Sequence, residues 1–349
     1  MSREFHIGGD RIADDTECYV IAEIGHNHQG DLEKCKALFK AAKGCGANAV
    51  KLQKRDNPSL FTREMFDSPY NSENAYGPTY GTHREALEFG REEYLTLIEY
   101  AKELEITFFS TAFDISSADF LEDLDMPAYK LASADLTNIP LLRHVARFGK
   151  PMIVSTGGGA MEDVERAYEA IMPINTELCI LQCTSMYPCP PEAMNLSVIK
   201  TFRDRFPDVV IGLSGHDNGI AMALVAYMMG ARVIEKHFTL DRTWKGTDHP
   251  FSLEPPGLRR LVRDLQRAQR AHGDGIKRRL PEEEAPLTKM SKKIVAAHDL
   301  PVGTVLTEAD LAVKSPGNGL PPYLIEEILG KTIKRALIAD DALSLDDLA

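Results

Sequence analysis

Short apolar, β-branched runs alternate with longer stretches of helical periodicity over the first ~270 residues of the chain. The runs predict strands over 19–24, 49–53, 107–110, 129–132, 152–155, 179–183, 209–213 and 233–237. Between them the pattern predicts helices over 32–45, 92–105, 116–124, 139–148, 161–171, 196–205, 219–229 and 257–272. Eight strand–helix units in about 250–270 residues is the arithmetic of a (β/α)8 TIM barrel. A doubly wound sheet would want a glycine-rich nucleotide fingerprint after its first strand. The loop there reads Gly25-His26-Asn27-His28-Gln29-Gly30 instead, so the barrel is the expected fold.

Two departures from plain repetition refine it. The alternating run 5–12, broken by Gly8-Gly9, predicts a hairpin covering the barrel bottom. The stretch 55–90, rich in Asn, Tyr, Gly and Pro, is too long for a simple βα connection. After the second strand it would sit over the mouth of the barrel, where long ordered loops are usually functional. From Pro281 the texture changes to a polar, proline-bounded linker, 281–291. Strand-like pieces follow at 295–297, 304–306 and 311–314, with a sharp turn at Pro316-Gly317-Asn318-Gly319. The expected organisation is a barrel domain over 1–280, that linker, and a small, mostly β domain over 292–349.

Composition narrows the class. The 349 residues carry a net charge of −12 with no basic block, which argues against nucleic acid as a partner. The longest apolar runs, such as 220–229, stop well short of the roughly 20 residues of a membrane span. The opening residues 1–10 lack the apolar core of a signal peptide. The cysteines Cys18, Cys35, Cys45, Cys179, Cys183 and Cys189 form no CxxC and read as reduced thiols of a cytoplasmic enzyme.

In such a barrel the catalytic groups come from the C-terminal ends of the strands. Those ends carry Glu23; Lys51 and Gln53; Ser110 and Thr111; Lys130, leading to Ser133 and Asp135; and Ser155 to Gly159. The last three lead to Thr184-Ser185-Met186-Tyr187, Ser214-Gly215-His216-Asp217 and Glu235-Lys236-His237. Every end is polar. Lys51 and Lys130 with the hydroxyls of Thr111, Ser133, Ser155 and Ser214 are what a phosphate-bearing substrate needs. The turn 155–159, opening a helix, adds backbone N–H groups. His216 and His237, at the ends of adjacent strands, can hold one divalent metal with open positions. His26-Asn27-His28 offers a second His-x-His pair of the amidohydrolase kind. That reading also wants histidines after strands five and six, where Ser155 and Ser185 stand.

These residues resemble the N-acetylneuraminate (sialic acid) synthase family. The likeness is carried by 21–30 (IAEIGHNHQG), 49–53 (AVKLQ), 128–133 (AYKLAS), 154–157 (VSTG), 183–188 (CTSMYP), 212–216 (GLSGH) and 235–239 (EKHFT). The tail 313–319 (VKSPGNG) resembles that family's antifreeze-like SAF cap, a β-clip domain. The insert 74–84 and the stretch 243–249 look more like the animal-type branch. The resemblance implies a PEP-dependent, C–C bond-forming transferase. Phosphoenolpyruvate (PEP) condenses with an N-acylated hexosamine to give a nine-carbon 2-keto-3-deoxy acid and phosphate, with C–O cleavage. It implies PEP held by Lys51, Thr111, Lys130, Ser133, Ser155, Ser185 and Ser214, and the sugar by Gln53, Asn74, Asp135, Tyr187 and Asp248. His216 and His237 would hold Mn²⁺ or Mg²⁺, Glu23 would act as general acid or base, and His83 and Arg84 would take a sugar phosphate. Asp135 stands where the bacterial type has Glu, and Ser185 where Asn is often found. A domain-swapped homodimer is implied too, though Ser315 stands where the family's cap often presents Arg. The sugar is open among N-acetylmannosamine, its 6-phosphate, and the precursors of legionaminic or pseudaminic acid. The competing readings are a Schiff-base aldolase using Lys130 and a carbohydrate- or ice-binding role for the small domain. The charges throughout 292–349 count against a flat ice-binding face.

Overall fold

A two-residue turn starts the chain's architecture. Gly8 and Gly9 both have positive φ, 57° and 92°, the conformation that lets two strands reverse without splaying. They join β1 (Glu4–Ile7) to β2 (Asp10–Ala13) as an antiparallel hairpin. The computed structural model describes residues 3–349. These divide into two compact units, the first ending at Gly273 and the second spanning Asp274–Ala349.

In the first unit eight parallel strands close into a barrel. They are β3 (Tyr19–Gly25), β4 (Ala49–Lys54), β5 (Thr107–Ala112), β6 (Tyr129–Leu131), β7 (Met152–Ser155), β8 (Leu178–Cys183), β9 (Val210–Gly215) and β10 (Val233–His237). The expected strands agree with these to within two residues at either end. Nearly every strand position is buried, because one face fills the barrel and the other packs on helices. The outer layer joins residues such as Val20, Val50, Ile180 and Ile234 to helix faces such as Leu38, Leu142 and Leu261. The lower interior is a separate apolar cluster containing Ile21, Ala49, Phe109, Ile153, Leu181 and Val233. Phe5, Ile7 and Ile12 of the hairpin belong to that cluster, so the hairpin plugs the bottom as expected.

Register then sets which polar residues meet above the plug. His237 pairs with Glu23, Glu23 with Lys51, Gln53 with Thr111, Thr111 with Lys130, and Glu235 with Ser214. The β3–β4 register shifts between Glu23 and Gly25. A bulge at a strand end re-aims its side chain, and Gly25, at φ 53°, supplies the backbone freedom. The long stretch after β4 is built from short helices, Asn57–Leu60, Arg63–Asp67 and Tyr80–Glu85, the last opened by a Thr79/Thr82 capping box.

The second unit pairs β11 (Lys293–Ala296) with β12 (Leu311–Lys314) over a small core including Ile294, Leu300, Ile333 and Leu343. The expected strand at 304–306 forms no ladder. Val305 makes a single bridge to Thr332, while the Leu306 side chain enters the core. The stretch expected as linker contains a helix, Glu284–Met290. Acidic residues favour a helix N-terminus, and Pro286 falls in the first turn, where proline is tolerated. Lys314 pairs with Asp340, and Ser315 Oγ accepts from Lys292 Nζ at 2.6 Å. Among the described residues no helix is long and apolar enough to cross a membrane.

Gly212 marks the tightest point of the barrel wall. A Cβ there would collide with the Val233 backbone and the Leu181 side chain. Gly212→Ala should therefore lower the unfolding free energy by about 1–3 kcal/mol, read as an earlier urea midpoint at unchanged slope.

Candidate active site

Above the apolar plug lies a cavity of about 800 Å³ at the C-terminal ends of the strands. Its floor is made of paired charges. Lys51 Nζ lies 2.7 Å from Glu23 Oε2 and 3.7 Å from Glu235 Oε2, and donates to Thr111 Oγ1 at 2.7 Å. Lys130 Nζ lies 4.0 Å from Glu235 Oε1, which also accepts from Ser214 Oγ at 2.9 Å. Gln53 Nε2 donates to Glu23 Oε1 at 2.7 Å. All four ionisable groups are at most 5% exposed. Burial, reinforced by the charge of Glu235, raises the Glu23 carboxyl above the usual range against the pull of Lys51. Burial works against Glu235 as well, but Lys130 and Lys51 outweigh it and hold that carboxyl low. The two carboxyls are thereby driven apart, as in acid–base pairs.

Beside the lysines stand neutral donors. Ser155 Oγ is buried with no hydrogen-bond partner. Ser133 Oγ accepts from Gly157 N at 2.9 Å. A Cβ on Gly157 would come within 2.9 Å of Ser133 Oγ and 3.1 Å of Cys183 Sγ, and would collide with Ser185 Oγ. The glycine is what lets the backbone approach this corner.

The imidazoles of His216 and His237 line the cavity as neighbours in an edge-on arrangement, ring centroids 5.5 Å apart and planes at 60°. His216 Nδ1 lies 3.0 Å from the Thr184 carbonyl oxygen. A carbonyl can only accept, so this nitrogen carries the proton and Nε2 keeps its lone pair. Burial lowers the His237 pKa despite Asp248, whose Oδ2 is 3.6 Å from His237 Nδ1; that Nδ1 is buried without a hydrogen-bond partner. Two neighbouring imidazoles with available lone pairs fit one divalent cation. Among the described residues no three His, Cys, Asp or Glu converge as a ligand set. Tyr187 packs on His216 at 4.2 Å between centroids.

The upper wall is cationic. Arg55 is buried flat over Phe113, 3.7 Å from the ring centroid, and donates to Gln53 Oε1 at 2.8 Å. Its Nη1 lies 3.1 Å from His26 Nε2, and Arg84 Nη1 lies 3.5 Å from the same ring's Nδ1. Burial and the neighbouring Arg84 charge lower the Arg55 pKa to about 10. Behind them, half-buried Glu88 pairs with His26 at 3.4 Å and Lys54 at 3.2 Å. The loop after β4 is joined to the loop after β10 by Gly246 N donating to Asn74 Oδ1 at 2.9 Å and Tyr76 Oη donating to Lys245 O at 2.7 Å. Lys245 Nζ donates back to Ala75 O at 2.5 Å.

Of the residues singled out in the sequence, Glu23, Lys51, Gln53, Asn74, His83, Arg84, Thr111, Lys130, Ser133, Ser155, Ser185, Tyr187, Ser214, His216, His237 and Asp248 line this cavity. Asp135 does not; it closes the short 3₁₀ turn Ser133–Asp135, accepting from Asn138 with its other oxygen unpartnered. His83 is packed on Tyr70, and its Nδ1 accepts from Tyr76 N. Burial and Arg84 lower its pKa to about 4, so at neutral pH it offers no charge. Of the amidohydrolase-like pair only His26 lines the cavity, while His28 is stacked on Phe89. Sequence reasoning passed over Glu235, Cys183, Arg55 and Lys245 as site residues. Arg55 was detectable, since it continues the alternation of Lys51 and Gln53.

Comparison with known proteins follows the same line. The NeuB family model matches residues 38–277, and the SAF domain model residues 293–349. The chain is 42% identical to the N-acetylneuraminate-9-phosphate synthase of Homo sapiens, over 93% of this chain and 91% of that protein. It is 34% identical to the N,N'-diacetyllegionaminic acid synthase of Campylobacter jejuni, over 93% and 98% respectively. The crystal structure of N-acetylneuraminic acid synthetase from Leptospira borgpetersenii in complex with citrate superposes with a TM-score of 0.70 at 32% identity, covering 82% of this chain and 96% of that one.

Burial raises the Asp135 pKa to about 6. The folded protein then holds a proton that the unfolded carboxyl has already lost, so this group's contribution to stability falls as pH rises through that window. Asp135→Asn should gain ~1–3 kcal/mol on the wild type between pH 4 and pH 7.5, measured by urea unfolding at the two pH values.

Proposed function

The chain belongs to the NeuB family, and on that premise we infer that it is a nonulosonic (sialic) acid synthase, condensing PEP with an N-acylated hexosamine. The observation that carries this is one cavity with a lysine pair, an unpartnered buried serine hydroxyl and two neighbouring imidazoles. The lysines and hydroxyls suit the phosphate and carboxylate of PEP: Lys51, Lys130, Thr111, Ser133, Ser155 and Ser185, with Ser214 shared with Glu235. His216 and His237 would hold Mn²⁺ or Mg²⁺. Such an ion, when bound, supplies Lewis acidity at the aldehyde oxygen and a place for water.

The residues of the chain do the rest. Gln53, Asn74, Tyr187 and Asp248 orient the open-chain sugar, without Asp135, so that its aldehyde carbon faces carbon 3 of PEP. The new C–C bond forms there, and the aldehyde oxygen takes up a proton. Water adds at carbon 2, the C–O bond to phosphate breaks, and the 2-keto group remains. Glu23 receives the water's proton. Its elevated pKa makes it the floor carboxyl able to exchange protons, while Glu235 stays ionised against the lysines. Imine chemistry on Lys130 is disfavoured, because this lysine faces Glu235 among anion donors.

Arg55 and Arg84, two guanidiniums sharing one histidine, favour a sugar carrying a 6-phosphate, with His83 as a neutral neighbour. A domain-swapped homodimer would bring the SAF domain of one copy over the barrel mouth of the other. Ser315 there lacks the guanidinium, which leaves sugar anchoring to groups such as Arg84. The six free thiols suit a reducing, cytoplasmic setting.

The function is tested by a panel of N-acylated hexosamines with and without 6-phosphate, assayed for phosphate release from PEP plus Mn²⁺. Sugar-dependent release abolished by EDTA and by His216→Ala is expected, fastest with the 6-phosphate. Release that needs no metal, with borohydride trapping an imine, would point to the aldolase. Lys51→Met and Lys130→Met should each impair PEP kinetics in KM or kcat by about 10- to 1,000-fold, the scale of one charge-assisted contact in a water-poor site. PEP kinetics within about twofold of wild type in both would remove the phosphate-cradle reading.

A further inference from the structure

One buried ion pair of the barrel lies outside the cavity and has no part in the chemistry above. Lys236 is 1% exposed and Asp217 2%. Lys236 Nζ donates to Asp217 Oδ1 at 2.8 Å and to the Asp217 carbonyl oxygen at 2.5 Å. Side chains alternate along a strand, so β10 turns Glu235 and His237 into the cavity and Lys236 away from it. The lysine therefore faces the apolar layer between barrel and helices, a poor environment for an ammonium group. Room is made for it by Gly215, its partner on β9. A Cβ on Gly215 would lie 3.1 Å from Asp217 Oδ1 and 3.2 Å from Lys236 Cδ.

Stability gives no reason for this arrangement. An apolar pair of similar volume commonly serves a folded core as well as a buried ion pair, or better. What the pair does is geometric. Asp217 directly follows His216, and Lys236 directly precedes His237. The bond thus ties the end of β9 to β10 one peptide away from each imidazole. On its other side His216 is already held, by Thr184 O at Nδ1 and by Cys189 N at its carbonyl oxygen, 3.0 Å each.

We propose that Lys236 and Asp217 are a positioning pair that sets the separation of the His216 and His237 imidazoles, and with it the affinity of that site for a divalent cation. The proposal rests on reading those histidines as metal ligands. It is tested with Mn²⁺ alone, by electron paramagnetic resonance titration, alongside thermal unfolding in EDTA. The double variant Lys236→Met/Asp217→Asn removes the charges together. It should unfold close to the wild-type temperature in EDTA yet bind Mn²⁺ about 10–100-fold more weakly, the range seen when groups that orient ligands are removed. Gly215→Ala keeps both charges and crowds the pair, so it should weaken Mn²⁺ binding in the same direction by a smaller factor; it decides the matter if the double variant does not fold. Wild-type Mn²⁺ affinity in the folded variants, with only the unfolding temperature altered, would overturn the proposal and leave the pair a purely structural role. Wild-type protein whose Mn²⁺ binding is indifferent to His216→Ala would instead overturn the metal reading itself.

Discussion

Four buried charges in a closed ring of strands are the constraint from which the rest follows. Glu23, Lys51, Lys130 and Glu235 each lie within 4.0 Å of an opposite charge. Removing Lys51 would strand Glu23, and removing Glu235 would strand Lys130, where an unpaired ion costs several kcal/mol. Their depth is set by a single step repeated around the barrel. Ile21 gives way to Glu23, Ala49 to Lys51, Phe109 to Thr111, Ala128 to Lys130, Ile153 to Ser155, and Val233 to Glu235. Each change spans two residues, one inward position on a strand. Below that step the hairpin closes an apolar interior, and above it polar groups predominate, with a few apolar ones such as Leu87 and Phe113 among them. The boundary climbs around the ring, Lys51 pairing with Phe109, Lys130 with Ile153 and Glu235 with Ile21, because strands of a closed barrel are staggered.

The wall above the floor follows a different logic. Arg55, Arg84 and Glu88 all belong to the stretch after β4 and His26 to the loop after β3, so their order depends on that long stretch being packed rather than on strand geometry. Tyr70 and Tyr76 wedge His83, the capping box starts the helix at Tyr80, and Tyr80 Oη accepts from Arg84. The guanidinium that faces the cavity is thus aimed by the helix that carries it. Floor and wall also differ in sign, the floor balanced and the wall net positive, which suits two substrates of unequal charge.

This contrast explains what was legible in the sequence. Strand periodicity located the barrel, and the residues at its strand ends were found because alternation dictates where they point. Arg55 escaped because it stands just beyond the last residue of β4, although it obeys the same alternation. Glu235 was in view, but a carboxylate beside lysines is indistinguishable in sequence from a surface charge. Asp135 was placed by its distance from the strand end. In a 3₁₀ turn successive side chains are about 120° apart, so it does not follow Ser133 into the cavity. The helix over 284–290 was hidden by prolines that mark a break in one context and a first turn in another.

The bonds that join Asn74, Ala75 and Tyr76 to Lys245 and Gly246 close one seam of the rim of the barrel mouth, between the loops after β4 and β10. Each of them joins a side chain, that of Asn74, Tyr76 or Lys245, to a main-chain atom of the other loop. Two small molecules enter across such a rim, and one larger, nine-carbon body has to leave. The seam therefore bounds the way out as well as the way in, and it is the larger body that meets it last.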